Sequence, residues 1–257
     1  MKKLVSLFLF AAMTFGMACA QTDVLPDFSS MCSSGQVLHY KIVDYGEVAV
    51  WPEAQSPELL GGFIKVPRSV KYEGQNYVVT SIADNAFANC IRIQGVELPT
   101  TMFSIGERAF FRCTDLRVIE MPKTLTTIGA SAFEGCTSLI DVVMPDAVTE
   151  VGEDAFRDCS NVRHFVISHN LVDIPKGCFK DCISVTYYLI PASVRTIGCD
   201  AFGGYEQLKE VTFLGDVPPV PDCNEAFGRE IPIFVTRTGF DAYKASYAWG
   251  QFTIKTM

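Results

Sequence analysis

Histidine is scarce in this chain, and the residue patterns that mark common active sites are missing. The 257 residues include three histidines, His39, His164 and His169, and none belongs to a nucleophile, metal or acid–base motif. There is no Gly-x-Ser-x-Gly, His-Glu-x-x-His or P-loop sequence, and no Cys-x-x-Cys pair. The sequence therefore predicts no enzyme activity, no catalytic residue, no metal site and no cofactor. A metal held by His164 and His169 remains an alternative to two solvated side chains.

An excess of basic residues is also lacking. The chain has 21 Lys and Arg against 29 Asp and Glu, and its formal net charge is -8. Nucleic-acid-binding proteins need Lys and Arg clustered on one face, so this balance argues against a nucleic-acid partner. Beyond the N-terminus no stretch reaches the roughly 18 apolar residues of a membrane helix. We therefore expect no membrane span.

The N-terminus has the pattern of a secretory signal peptide over residues 1–20. Two lysines precede an apolar run, Leu4–Met17, which ends in small residues. Cleavage after Ala20 would release a soluble protein, whereas cleavage before Cys19 would leave a lipid anchor at Cys19. The pattern predicts export to the cell surface, the periplasm or the extracellular space. We expect residues 21–36 to form a linker.

One phrase, Ala-Phe-x-x-Cys or a near variant, recurs with a fixed period of 23 residues. An apolar residue opens each unit, and a Phe follows it five positions later without any drift. The openers are Ile82, Ile105, Ile128, Val151, Ile174 and Ile197, and the aromatic residues are Phe87, Phe110, Phe133, Phe156, Phe179 and Phe202. A repeat that keeps its register over this length is typical of a solenoid, in which each unit buries its apolar face against the next.

Each unit is divided into a turn, a short helical or 3₁₀ segment and a strand. Ala132, Phe133 and Cys136 lie three or four residues apart, a helical spacing that aims them at one interior. In the strand that follows, alternation turns Asp141 and Val143 outward. The sequence thus predicts an α/β solenoid of 23-residue repeats, with a strand sheet on one face and short helical or 3₁₀ segments on the other.

The two ends of the array differ from the repeats. β-branched and aromatic residues predict strands at 37–43, 47–51 and 77–80, and Ile64–Pro67 matches Val96–Pro99 as part of an incomplete first coil. We therefore assign residues 37–81 to a β-rich N-terminal cap, residues 82–235 to the repeats and residues 236–257 to a C-terminal cap.

The units resemble the BspA-type leucine-rich repeat of bacterial surface proteins. The Phe, the Cys, the apolar strand residues and the strand-ending Pro all recur in phase, and the resemblance extends over residues 37–257. It implies a right-handed leucine-rich-repeat solenoid. It also implies an adhesin-like role toward host matrix proteins or proteins on neighbouring bacteria.

Cysteine forms a column of its own. The column comprises Cys90, Cys113, Cys136, Cys159 and Cys182. Parallel side chains in a stack do not present paired sulfurs, so we predict buried free thiols that act as small hydrophobic groups. Cys199 and Cys223 lie almost one period apart and could bridge adjacent coils as a disulfide.

The outward positions of the strands contain the candidate partner-binding residues. These are Asp141, Val143, His164, Val166, Tyr187 and Leu189. Exposed apolar groups on adjacent repeats indicate an interaction surface, and we predict a protein partner. Two plainer explanations stay open: β-branched residues simply favour strands, or a cap or second copy covers this face. A glycan partner would need Trp51, Tyr187 and Tyr188 to form a stacking platform, although Tyr188 is predicted to point inward.

Overall fold

A computed structural model describes residues 25–52, 59–204, 206–223, 227 and 231–257. The predicted signal peptide, both cleavage sites, Cys19 and residues 21–24 of the predicted linker lie outside the described residues. The described chain winds into stacked coils, and successive coils contribute parallel strands to the walls of the solenoid.

The N-terminal cap is built from six strands. They are β1 (Phe28–Met31), β2 (Val37–Asp44), β3 (Glu47–Trp51), β4 (Gly61–Lys65), β5 (Ser69–Tyr72) and β6 (Gln75–Ile82). β1, β2 and β3 pair in antiparallel fashion, β3 joins β6 in parallel, and β5 and β6 form a hairpin. The three strands predicted in this region are confirmed.

The prediction of a linker was wrong at Phe28–Met31. This segment is β1, which pairs with Val37–Tyr40 of β2. Phe28 anchors the strand because its ring stacks on that of Tyr72, with the centroids 4.4 Å apart. Cys32, just after the strand, is buried. The cap therefore begins before residue 37.

The front sheet forms one wall of the solenoid. It contains β4, β7 (Arg92–Glu97), β9 (Val118–Glu120), β11 (Asp141–Val143), β13 (His164–Val166), β15 (Tyr187–Ile190), β17 (Glu210–Phe213), β19 (Ile233–Val235) and β20 (Ile254–Thr256). Hydrogen bonds join these strands in three groups, and the groups adjoin where β9 lies beside β11 and β13 beside β15. Ile64 pairs with Val96, as expected of an incomplete first coil.

The second sheet forms another wall from much shorter strands. It continues from β6 through β8 (Ser104–Ile105), β10 (Thr127–Ile128), β12 (Glu150–Val151), β14 (Asp173–Ile174), β16 (Thr196–Ile197) and β18 (Val220–Pro221). The pairing is parallel in strict 23-residue register from Ser81 opposite Ser104 to Thr127 opposite Glu150. The apolar residues that open the repeats lie in this sheet.

The prediction of helical or 3₁₀ segments along the Ala-Phe-x-x-Cys phrase was wrong, and a ladder of turns takes their place. Within a coil, Cys136 N–H donates to the Phe133 carbonyl three residues back, as in a turn. Phe133 N–H instead donates to Ala155 in the next coil at 2.8 Å, so no helical ladder can propagate. Two residues per coil, such as Ser131 and Gly135, adopt positive φ and reverse the backbone between turns. We call this wall the turn ladder.

The Phe column fills the interior as predicted. Each ring from Phe87 to Phe202 is buried, and neighbouring rings stack with centroids 5.1 to 6.1 Å apart. The 6.1 Å gap lies between Phe156 and Phe179, where Phe165 of β13 packs against both rings. The predicted inward direction of Tyr188 is confirmed by its burial, and Val142, between the outward Asp141 and Val143, is buried as well.

The Cys column consists of buried free thiols, as predicted. Four of the five thiols point at the preceding coil: Cys136 Sγ donates to the Phe110 carbonyl oxygen at 3.1 Å, and Cys113, Cys159 and Cys182 repeat this contact. Burial raises the pKa of the Cys136 thiol well above its ordinary value, which keeps it protonated and unreactive. Cys199 and Cys223 form the disulfide that their spacing suggested, with Cα atoms 5.3 Å apart.

The C-terminal end closes with β19, helix α1 (Phe240–Ala245) and β20. In the part of the chain that the structure describes, α1 is the sole α-helix. Tyr243 and Trp249 are buried against Phe213 of the last long strand, with ring centroids 5.3 and 5.1 Å away. The Trp249 indole N–H donates to the Pro219 carbonyl oxygen at 2.6 Å. These contacts cover the open end of the apolar interior.

Candidate partner-binding face

The six residues singled out in the sequence lie together on the outer surface of β11, β13 and β15. We call this group, Asp141, Val143, His164, Val166, Tyr187 and Leu189, the front patch. Parallel pairing places Asp141 beside His164 and Val143 beside Val166. The adjacent strand β15 adds the other two side chains.

The front patch is exposed and largely apolar. Relative exposure is 60% for Val143, 44% for Val166, 48% for Tyr187 and 44% for Leu189. The alternating strand pattern explains this arrangement, since the intervening side chains, such as Val142, are buried. A cluster of exposed apolar side chains on a parallel sheet is characteristic of surfaces that another molecule covers.

The polar members of the front patch are oriented by one another. His164 Nδ1 lies 2.8 Å from Asp141 Oδ1, so the carboxylate of one coil holds the imidazole of the next. On its other side the imidazole faces the Tyr187 ring, with centroids 6.2 Å apart. A row of carboxylate, imidazole and phenol thus runs across three adjacent coils, beside the apolar row of Val143, Val166 and Leu189.

The two ends of the front sheet have different chemistry. At the N-terminal end, Lys65 Nζ contacts Glu97 Oε1 at 2.5 Å, and the exposed Phe63 ring covers Gly95 so closely that a Cβ there would lie 2.5 Å from it. At the other end, Lys255 Nζ lies 5.6 Å from the Phe234 ring centroid. Sequence reasoning missed Phe63 because its coil is incomplete and its register is shifted by a bulge after Gly62.

A second histidine pair lies just beyond the strand ends. His169 Nδ1 is 2.8 Å from Asp146 Oδ1, and the same carboxylate accepts the His169 backbone N–H. The hydrogen bond from the His169 side chain holds the pKa of Asp146 below its ordinary value. Ser168, which stands where other coils have Pro, is buried and donates to the Val148 carbonyl oxygen at 2.6 Å.

The structure gives no support to a metal centre in this region. His164 and His169 contact different aspartates, Asp141 and Asp146. Across the described residues, no group of three or more His, Cys, Asp or Glu side chains converges to hold an ion.

The three aromatic residues considered for glycan stacking do not form one platform. Tyr187 is exposed on the front sheet, whereas its neighbour Tyr188 is buried in the interior, and burial raises the pKa of its phenol well above the usual value. Trp51 lies in β3, which pairs with β2 and β6 on the second-sheet side of the cap.

Comparison with known proteins identifies the family. The family model described as the BspA type leucine rich repeat region matches six copies over residues 80–217. The chain belongs to this family. No curated protein gives a significant match.

Two solved structures show the same fold. A leucine-rich repeat protein of Treponema pallidum is 23% identical, with a TM-score of 0.62 over 85% of this chain and 95% of that one. A leucine-rich repeat protein of Bacteroides ovatus is 17% identical, with a TM-score of 0.53 over 86% of this chain and 75% of that one. At these identities the likeness concerns the fold alone. Among the described residues, no helix is both long and apolar enough to cross a membrane.

Proposed function

We propose that this protein is an exported, non-enzymatic recognition module that binds a protein partner through the front patch, in the manner of an adhesin. The partner is a host matrix protein or a surface protein of another bacterium. Membership of the BspA-type family supports a protein-interaction role at a bacterial surface. The observation that carries the proposal is the continuous exposed apolar row of Val143, Val166 and Leu189 beside Tyr187.

The architecture suits binding better than catalysis. A solenoid wall offers a broad surface made of many short strands, and its side chains can change from coil to coil without disturbing the interior. Aromatic and aliphatic side chains on such a wall bind by excluding water from the contact. Tyr187 is suited to this because its ring is apolar while its hydroxyl can donate or accept a hydrogen bond.

The test is a binding assay with a paired control. The variant Tyr187→Ser/Leu189→Ser is compared with Phe103→Ser/Val172→Ser, which changes residues of similar exposure on the side of the second sheet. Both are assayed against a panel of purified matrix and bacterial surface proteins. We expect the first variant to lose capture by about tenfold or more and the second to keep it, since central aromatic anchors contribute over about 1.4 kcal/mol.

Either of two results would overturn the proposal. The first is unchanged capture by the Tyr187→Ser/Leu189→Ser variant. The second is capture of a glycan array, abolished by the same substitutions, with no protein of the panel bound. Melting curves of both variants accompany the assay, because a loss of more than about 1 kcal/mol of stability would mark these side chains as structural.

A further inference from the structure

One junction between coils of the solenoid lacks strand pairing in both sheets. It lies between the coil that contains β12 and β13 and the next coil, which contains β14 and β15. β12 pairs with β10 and β14 with β16, while β13 pairs with β11 and β15 with β17. Within the described residues, no other junction of the repeats is interrupted in both sheets, since the break between β9 and β11 leaves β8 and β10 paired. We call this junction the seam.

The turn ladder crosses the seam without interruption. The backbone N–H groups of Asp154, Phe156 and Asp158 donate to carbonyls of the next coil at 2.9 or 3.0 Å. The preceding coil makes the same three hydrogen bonds from the equivalent positions. At the seam, the regular backbone connection between coils is therefore kept along the turn ladder and lost along the two sheets.

Pro175 accounts for the interruption of the second sheet. In the other repeats the residue after the opener donates its N–H to the coil before, as Gly152 does to the Ile128 carbonyl at 2.8 Å. Pro175 has no N–H to donate to Val151. The coils also approach closely at this position, where a Cβ on Gly152 would lie 2.3 Å from the Ala130 backbone nitrogen. Because Pro175 has a ring there, its coil cannot come as close to the preceding one.

Two aromatic side chains account for the interruption of the front sheet. The inward residue of the strand is the aliphatic Val142 in β11, but it is aromatic on both sides of the seam, where it is Phe165 and Tyr188. Phe165 packs against the rings of Phe156 and Phe179, whose centroids are 6.1 Å apart. Elsewhere in the Phe column the neighbouring rings lie 5.1 to 5.5 Å apart. The bulky interior therefore holds the two coils of the seam apart.

We propose that the seam is a hinge, at which the two parts of the solenoid rotate about the turn ladder. In a repeat protein each coil contacts only its neighbours, so the array opens first at its weakest junction. Opening the seam breaks no strand pairing, whereas opening any other junction of the repeats would break it in at least one sheet. Such a hinge leaves the bodies on either side of it rigid.

The seam divides the front patch. The four patch residues on β11 and β13 lie on one side of it, and Tyr187 and Leu189 lie on the other. The contact between the His164 imidazole and the Tyr187 ring, with centroids 6.2 Å apart, crosses the seam. The hinge thus sets the distance between the two parts of the patch, and a partner that contacts both parts favours one setting. This consequence rests on the proposed function, but the hinge itself does not.

The hinge is tested by measuring distances between spin labels on introduced cysteines. The native free thiols are buried, so the label reacts with the new, outward cysteines. Three pairs that span equal numbers of coils are compared: Glu120→Cys/Thr212→Cys across the seam on the front sheet, Lys65→Cys/Val166→Cys on one side of the seam, and Ala88→Cys/Lys180→Cys across the seam on the turn ladder. We expect the distance distribution of the first pair to be about twice as broad as those of the other two, because rotation about the turn ladder separates the first pair alone.

A further substitution tests the cause of the hinge. Pro175→Gly supplies the missing N–H and removes the ring, so it should narrow the distance distribution of the Glu120→Cys/Thr212→Cys pair toward that of the one-sided pair. The matched control is Pro145→Gly, which makes the same change at the end of β11 and should leave the distribution as broad as before.

Three results would overturn this inference. Equal widths for the front-sheet pair and the one-sided pair would show that the seam does not open. A turn-ladder pair as broad as the front-sheet pair would show that the coils separate without an axis. An unchanged width in Pro175→Gly would remove Pro175 as the cause. None of these measurements needs a bound partner, whereas unchanged capture by Tyr187→Ser/Leu189→Ser would overturn the proposed function itself.

Discussion

The front sheet and the turn ladder belong to the same coils, yet they use the 23-residue repeat differently. On the turn ladder the backbone is constrained: two positive-φ residues per coil and bonds to the next coil recur with little variation. On the front sheet the outward side chain changes from Glu120 to Val143 to Leu189, although all three residues lie at equivalent positions of parallel strands. The comparison teaches that one wall fixes the geometry of the coil and the other is free to vary its chemistry.

The largest loss of stability is expected for a substitution in the apolar interior, which lies between the front sheet and the turn ladder. Phe133→Ala removes a buried ring that stacks on Phe110 and Phe156 at 5.2 Å on either side. The free energy of unfolding, measured with urea, should fall by about 3–5 kcal/mol because a cavity is left between two coils. Phe103→Ala, at an exposed position beside the second sheet, serves as the control and should stay within about 0.5 kcal/mol. Equal losses in the two variants would contradict the interior assignment.

A smaller loss of stability is expected at Gly152, which directly follows β12, where the chain passes from the second sheet to the turn ladder. A Cβ on Gly152 would lie 2.3 Å from the Ala130 backbone nitrogen of the preceding coil. Gly152→Ala should therefore destabilise the protein by about 1–3 kcal/mol, as overpacking does. At Gly203 the nearest atom to an added Cβ is 3.3 Å away, so Gly203→Ala should cost clearly less. If the two variants unfold at the same denaturant concentration, the result contradicts the close approach of the coils at Gly152.

The smallest effect concerns the exposed edge of the front sheet. The hydrogen bond from His169 lowers the pKa of Asp146 in the folded protein. A lowered carboxyl pKa stabilises the fold above the ordinary Asp value of 3.8, and this contribution is lost as the pH falls through the folded pKa. Asp146→Asn should thus melt slightly below the parent at neutral pH and approach it in acid. If the gap in melting temperature between Asp146→Asn and the parent widens as the pH falls, the stabilising hydrogen bond from His169 to Asp146 is contradicted.

The register of the coils was predictable because every unit keeps the same length. A constant period places Val143 beside Val166 whatever the local conformation, and strand alternation then separates inward from outward side chains. These two rules located all six residues of the front patch.

The conformation of the Ala-Phe-x-x-Cys phrase was not predictable from its apolar spacing. Residues three and four positions apart share one side in a helix, and a run of consecutive turns produces the same spacing. The deciding signal lay in the polar positions, where Asn85, Asn89, Asp154 and Asp158 occupy positive φ. Asn, Asp and Gly tolerate this conformation, so their recurrence at four-residue separation indicates a turn ladder.

The first strand was missed for a different reason. Phe28–Met31 has two serines and only four residues, too little alternation to distinguish it from a linker. Its stability comes from pairing with β2 and from the stacking of Phe28 on Tyr72, contacts between residues distant in sequence. Local pattern cannot reveal such contacts.

Hydroxyl-radical footprinting of the protein, alone and with a captured partner, tests most directly whether the variable front sheet is the wall that contacts the partner. If the front patch is the binding surface, oxidation of Tyr187, Leu189 and Val143 should fall on binding, while that of Phe103 and Val172, exposed on the side of the second sheet, should not change. Protection of Phe103 and Val172 with unchanged oxidation of Tyr187 would contradict the assignment of the front patch as the binding surface.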